Sequence, residues 1–250
     1  MTIRQAIGDT KIKLIGNNKK SICISFLYVL TLLLLSFILL VIYSKVTSKI
    51  ALLLFEVVFF LCMIPTSFGL FSSLLNVLRG NDTKALDIYK NGFEYFKPVW
   101  KVTGRLLLKS IVPIVLLIAS ITFLGYSIVL TDNNPQAAGL PFVASIVLAL
   151  VTLFYFIVLI LKYNFAFFVL YDDKELTSKE VLSKAKESSK GNRGLIFMIM
   201  FLWIFVLYTI RYFINLFSLV GASIFNILYI VLFLPSLICI LGTIYDESKE

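Results

Sequence analysis

Apolar residues dominate six stretches of the chain: 21–43, 57–78, 106–130, 141–161, 195–214 and 222–245. At a rise of ~1.5 Å per residue, each stretch can cross ~30 Å of hydrocarbon with some tilt. Each therefore predicts a transmembrane helix. The second stretch is apolar almost from Ile50, so its helix is expected to begin ahead of Val57. A β-barrel is excluded, because barrel strands are short and alternate apolar with polar.

Polar, helix-prone segments precede the first, third and fifth stretches. Residues 177–194 read TSKEVLSKAKESSKGNRG, and residues 2–18 read TIRQAIGDTKIKLIGNN. Aligned, Thr2 falls on Thr177, Lys11 on Lys186, Gly16 on Gly191 and Asn17 on Asn192. A looser version occupies 82–97. Thr2 with Gln5 and Thr177 with Glu180 each have capping-box spacing, a hydroxyl at the N-cap and an acid or amide three residues on. Asp82 or Thr83 is the expected cap of the middle copy. Apolar residues then recur at helical spacing: Ile3, Ile7 and Leu14; Leu86, Tyr89, Phe93 and Phe96; Val181, Leu182 and Ala185. Gly16, Gly92 and Gly191 stand where a C-cap or tight turn would release the chain into the next span. The expected fold is all-α: one polytopic membrane domain, with six transmembrane helices as three hairpins. A cytoplasmic amphipathic helix precedes each hairpin, and the repeat units run over 1–78, 79–161 and 162–250.

Charge orients this bundle. Of 23 Lys and Arg, all but Lys45, Lys49 and Arg211 lie before span 1, between spans 2 and 3 (counting the first turn of span 3), between spans 4 and 5, or after span 6. The positive-inside rule then places both termini and the two long loops in the cytoplasm of a plasma-membrane protein. The 131–140 loop carries no basic residue and is expected outside. The first apolar stretch is too long for the core of a cleavable signal and is expected to persist as a helix. Lys179, Lys184, Lys186 and Lys190 define a basic helix at the membrane surface. Its expected partners are the bilayer and the anionic headgroups of the cytoplasmic side, not nucleic acid.

Composition narrows the chemistry. The chain is 60% hydrophobic and 15% charged, against ~25% charged in soluble domains. It has no histidine, so the commonest general base and metal ligand are missing. Cys23, Cys62 and Cys239 all lie in apolar stretches without a C-x-x-C spacing and read as buried structural thiols. No metal site or cofactor is expected. Glu56 is the one acid closely flanked by apolar sequence. It lies ~33 Å from Leu78 along a helix, near the outer interface, as does Arg211. The two read as an interfacial pair of charges or as an outward-facing ion or substrate contact. Pro65, Pro113 and Pro235 are candidate helix kinks, each removing a backbone hydrogen bond. Gly69 and Ser73 have a small-x-x-x-small spacing suited to close helix packing. Lys109 and Lys162 are expected to snorkel at the inner interface. Tyr171-Asp172-Asp173 and Tyr245-Asp246-Glu247 match in position and read as solvated helix ends. Paired acids can hold Mg²⁺, but no glycine-rich phosphate loop accompanies them. No span centre carries a charge, which argues against a proton-driven pump.

These features resemble a family of six-span integral membrane proteins of low-GC Gram-positive bacteria, the domain of unknown function nine-seven-five. The residues that carry the resemblance are Arg4, Ala6, Gly16 and Asn17; Asn91-Gly92-Phe93; Glu180-Val181-Leu182, Ser188 and Lys190-Gly191-Asn192; Trp203; and Pro235 with Tyr245. Ile15 replaces the lysine expected ahead of Gly16. The resemblance covers most of the chain. It implies six spans and a plasma-membrane location, and it carries no reaction. The sequence thus predicts a non-enzymatic membrane protein related to transport or envelope homeostasis. Two alternatives remain open: a permease subunit working with a separate ATPase, since the chain has no G-x-x-x-x-G-K-[ST] of its own, and an immunity protein against a membrane-active peptide. A homo-oligomer is compatible with each.

Overall fold

A computed structural model describes the backbone of every residue except Thr47, Asn134 and Glu250. The side chains of Asp132, Asn133, Pro135, Gln136, Ala137 and Val220 are also outside the description. Ten α-helices account for nearly all described residues: α1 (Ile3–Lys13), α2 (Asn18–Lys45), α3 (Lys49–Leu78), α4 (Asp87–Glu94), α5 (Phe96–Asn133), α6 (Pro135–Tyr163), α7 (Ala166–Asp172), α8 (Ser178–Ser188), α9 (Arg193–Asn215) and α10 (Leu219–Glu247). Six are long and apolar enough to cross a membrane, as a multi-pass membrane protein requires.

The long helices overshoot the spans read from hydropathy. α5 has 38 residues, ~57 Å at 1.5 Å per residue, nearly twice the hydrocarbon thickness. Hydropathy ends a span at its first charges, whereas backbone hydrogen bonding continues past them. The expected 131–140 loop is one such case. It is helical up to Asn133 and again from Pro135, and Pro141 lies inside α6; Asn134 is outside the described residues. Pro65, Pro113 and Pro235 also lie inside uninterrupted helices. As expected, the second long helix starts well before Val57, at Lys49, with the Ser48 hydroxyl as its cap.

Both outer capping boxes form. Thr2 accepts from the Gln5 amide while Gln5 returns a bond to the Thr2 amide, and Thr177 and Glu180 do the same. The helices they start, α1 and α8, each run 11 residues. Gly16 (φ 83°) and Gly191 (φ 96°) then turn the chain into α2 and α9. These are left-handed conformations that cost other residues roughly 1–2 kcal/mol. The middle copy departs from this plan. Asp82 is drawn away to Lys20, 2.9 Å distant, and the Thr83 hydroxyl donates to the Asn81 carbonyl. α4 starts only at Asp87, with Leu86 as an uncapped N-cap. Gly92 is not a C-cap but a contact point inside α4. A Cβ on Gly92 would lie 2.4 Å from the Pro65 carbonyl oxygen, and one on Gly69 would lie 1.9 Å from that of Ile88. α4 therefore doubles back along α3, backbone against backbone.

Burial divides the molecule into two halves. The buried apolar cluster takes Ile24, Tyr28 and Val29 from the start of α2, and Phe68 to Leu78 from the end of α3. It takes Ile196 and Ile199 from the start of α9, and Ile238 to Tyr245 from the end of α10. Ala6, Ile88, Phe168 and Val181 bring in α1, α4, α7 and α8. These parts meet at one end of the bundle, the packed half. From α5 and α6, among the described residues only Val99 and Val102 are buried members, with Leu106, Leu161 and Tyr163 at the margin. The remaining lengths expose leucine, isoleucine, valine and phenylalanine, the surface that lipid would cover. Here α5 and α6 pack on each other, with Ser120 donating to the Ser145 carbonyl (2.8 Å) and Ser127 to that of Ala138 (2.9 Å).

Of the three cysteines, only Cys239 is buried. Cys62 is half-buried and Cys23 exposed, because an apolar stretch of a membrane helix has an outward face as well as an inward one.

Candidate functional site

The ends of α3, α7 and α10 converge on Arg79. Its guanidinium donates to both Asp172 oxygens (2.6 and 3.2 Å) and to both Asp246 oxygens (2.6 and 3.2 Å). The Tyr245 hydroxyl donates to Asp172 at 2.8 Å, and Lys249 pairs with the same carboxylate. The three side chains of this clamp keep about a quarter of their full exposure, 27% for Arg79, 23% for Asp172 and 24% for Asp246. Burial alone would lower the Arg79 pKa. Hydrogen bonds to Asp246 and Asp172 outweigh it and raise the pKa above its ordinary range. The solvated helix ends expected at Asp172 and Asp246 are thus ion-paired instead. Each acid follows a tyrosine at the end of an apolar helix, and Arg79 sits at the equivalent end of α3. That positional match was visible in the sequence; the arginine that unites the acids was not.

Beside the clamp, a cleft of about 410 Å³ runs between α7, α8 and the end of α10, walled by Asp173, Lys184, Glu187, Tyr245 and Lys249 among others. Lys184 lies 3.6 Å from Asp173, so this predicted surface lysine faces a carboxylate. Among the described residues no group of three or more acids or cysteines could hold a metal ion.

A second recess has another character. It measures about 440 Å³ and lies between the start of α5, the end of α6 and α8, lined by Arg105, Leu108, Lys109, Tyr163, Lys179, Leu182, Ser183 and Lys186. Burial of Val181, Leu182 and Ala185 docks α8 on the bundle. The Ser189 hydroxyl ties its end to the Lys162 carbonyl at 3.1 Å. Residues three and four apart on a helix share a face, so Lys179, Leu182, Ser183 and Lys186 line one side of the recess and Arg105, Leu108 and Lys109 the other. Lys109 stands over the Tyr163 ring, 5.4 Å from its centre. Of the four lysines predicted for a basic surface helix, Lys179 and Lys186 open here and Lys190 is exposed elsewhere.

Glu56 and Arg211 lie away from both sites. The Tyr43 hydroxyl donates to Glu56, Arg211 is exposed, and no ion pair joins the two among the described residues. No protein family model, curated protein or solved structure matches this chain.

Proposed function

We propose that this chain is a non-enzymatic integral protein of the plasma membrane, serving transport or envelope homeostasis. In this reading its six spans form three hairpins, each preceded by a polar helix at the cytoplasmic surface (α1, α4 and α8). The observation that carries it is the uneven attachment of the α5–α6 pair. That pair joins the buried cluster only around Val99, Val102 and its margin at Leu106, Leu161 and Tyr163. The rest of its length rests on itself. A firmly packed cytoplasmic base beside a loosely attached hairpin suits a protein that moves within the bilayer. Arg79, Asp172 and Asp246 saturate one another, which suits a brace better than a reaction centre. The same reading agrees with the resemblance to the six-span family, which implies the same span number and location.

Orientation is tested by single cysteines in a chain stripped of its own. A cysteine at Ser183 is expected to react with a membrane-impermeant maleimide only after the membrane is opened. One at Phe217, 90% exposed between α9 and α10, is expected to react in intact cells. The reverse pattern overturns the orientation. Removal of the chain from its cell is expected to alter dye entry or solute uptake, and hydrolysis of lipid or nucleotide by the purified protein would defeat the non-enzymatic reading.

A further inference from the structure

We infer that the recess between α5, α6 and α8 is a binding site for the headgroup phosphate of an anionic phospholipid. The inference rests on the cytoplasmic placement of α8 proposed above. Arg105, Lys109, Lys179 and Lys186 line the recess, and no carboxylate does. None of the four takes part in an ion pair among the described residues. Four like charges gathered on the wall of one cavity repel one another, and a bound anion removes that repulsion.

The absence of acid from the recess follows from how α8 distributes its charges. Glu180 is committed to the capping box with Thr177. Lys184 and Glu187 face the other cleft, Lys184 towards Asp173. Only Lys179 and Lys186 turn towards α5. They stand on either side of Ser183, whose hydroxyl is a further donor at the same wall. α5 answers with Arg105 and Lys109 one turn apart.

A second feature selects a lipid over a free phosphate. An adjoining slot of about 130 Å³ shares Lys109 and Tyr163 with the recess, adds Lys162 at the same end, and continues along Tyr155, Val158 and Leu159. Tyr155 is 41% exposed on the apolar face of α6. The cavity thus runs from a basic end at Lys109 and Lys162 towards Val158, Leu159 and the exposed apolar surface of α6 that acyl chains cover. Phosphate and chain of one lipid fit that sequence of walls.

The test uses the whole protein in a neutral detergent, titrated with phosphatidylglycerol, with phosphatidylcholine of the same chains, and with inorganic phosphate. Bound molecules are counted by native mass spectrometry. One phosphatidylglycerol is expected to be held well beyond phosphatidylcholine, and inorganic phosphate weakly. Each basic contact is worth roughly fivefold, so K179Q/K186Q is expected to weaken phosphatidylglycerol about thirtyfold. K184Q/K190Q removes the same charge from α8 and the turn that follows it, and is expected to leave binding within about twofold. R105Q/K109Q is expected to repeat the loss with α8 untouched, which separates loss of the site from unfolding of α8. Equal retention of the two lipids, or equal weakening by K179Q/K186Q and K184Q/K190Q, overturns the site in favour of diffuse surface attraction. Inorganic phosphate held as tightly as the lipid overturns the lipid assignment. Cysteine labelling that reverses the orientation, with phosphatidylglycerol still bound, leaves the recess standing and removes only its leaflet.

Discussion

The packed and exposed halves share one habit of their small polar residues and differ in what is added to it. In the packed half they reach across helices as well as back to their own, where Thr10 bonds the Ala6 carbonyl, Ser67 that of Met63 and Thr243 that of Cys239. Tyr28 and Ser67 share a bond of 3.0 Å, Thr10 and Thr243 one of 2.8 Å, and Asn76 donates to Tyr171 at 2.6 Å. In the exposed half they turn back on their own helix, Thr122 to the Ile118 carbonyl, Thr131 to that of Ser127 and Ser223 to that of Leu219. Ser120, Ser127 and Tyr43 are exceptions: the serines bond within the α5–α6 pair, and Tyr43 of α2 reaches Glu56 of α3. The difference follows from what lies outside. A hydroxyl facing hydrocarbon has neither water nor a neighbour, so the carbonyl one turn back is its nearest partner. A hydroxyl between packed helices has that local partner and a second one on the neighbouring helix.

The same contrast should appear in mutational energies. The largest effect is expected from glycine. G69A places a methyl into the Ile88 carbonyl and should cost about 3 kcal/mol as α4 is pushed off α3. G125A in α5 meets nothing within 4 Å and should gain up to about 1 kcal/mol from helix propensity. Unfolding both by SDS titration in mixed micelles reads the sign directly. Equal effects would erase the distinction between halves.

Charge comes next. R79A leaves Asp172 and Asp246 without their shared partner and should cost about 2 kcal/mol, below the range for a fully buried pair because the clamp keeps some exposure. R211A, on an exposed residue, should stay within about 0.5 kcal/mol. The same titration separates them, and a silent R79A would demote the clamp to decoration.

The smallest effect is a pH dependence confined to α8. Hydrogen bonding from Thr177 holds the Glu180 carboxyl below its ordinary 4.5. A depressed carboxylate stabilises the fold above that ordinary value, and its contribution is lost as pH falls through the lowered one. Protection of the first α8 amides from hydrogen exchange should therefore fall, relative to α9, as pH drops below the ordinary 4.5 and through the lowered value. In T177A the step should vanish, together with about 1 kcal/mol of local stability at neutral pH.

How much of this was legible in sequence depended on distance along the chain. The six apolar helices and the capping boxes at Thr2 and Thr177 are written in neighbouring residues, as are the turns at Gly16 and Gly191. Helix length was underestimated, since hydropathy stops where charges begin. α7 was hidden because Ala166 to Leu170 continues the apolar character of α6. The docking of Gly92 on Pro65 has no periodic signature; either glycine alone reads as a turn or a small-residue spacing. The clamp was out of reach for the same reason. Asp172 and Asp246 were visible as twins, but nothing local pointed either of them at Arg79.

That separation has a consequence in time. Arg79 stands 93 residues ahead of Asp172 and 167 ahead of Asp246. At a synthesis rate of roughly 5–20 residues per second, it waits about 5–19 s for its first carboxylate and about 8–33 s for its second. Throughout that interval the guanidinium at the end of α3 has at most one of the two carboxylates that clamp it in the finished fold. The base of the bundle is therefore locked in two strokes, the second only when the sixth long helix has emerged.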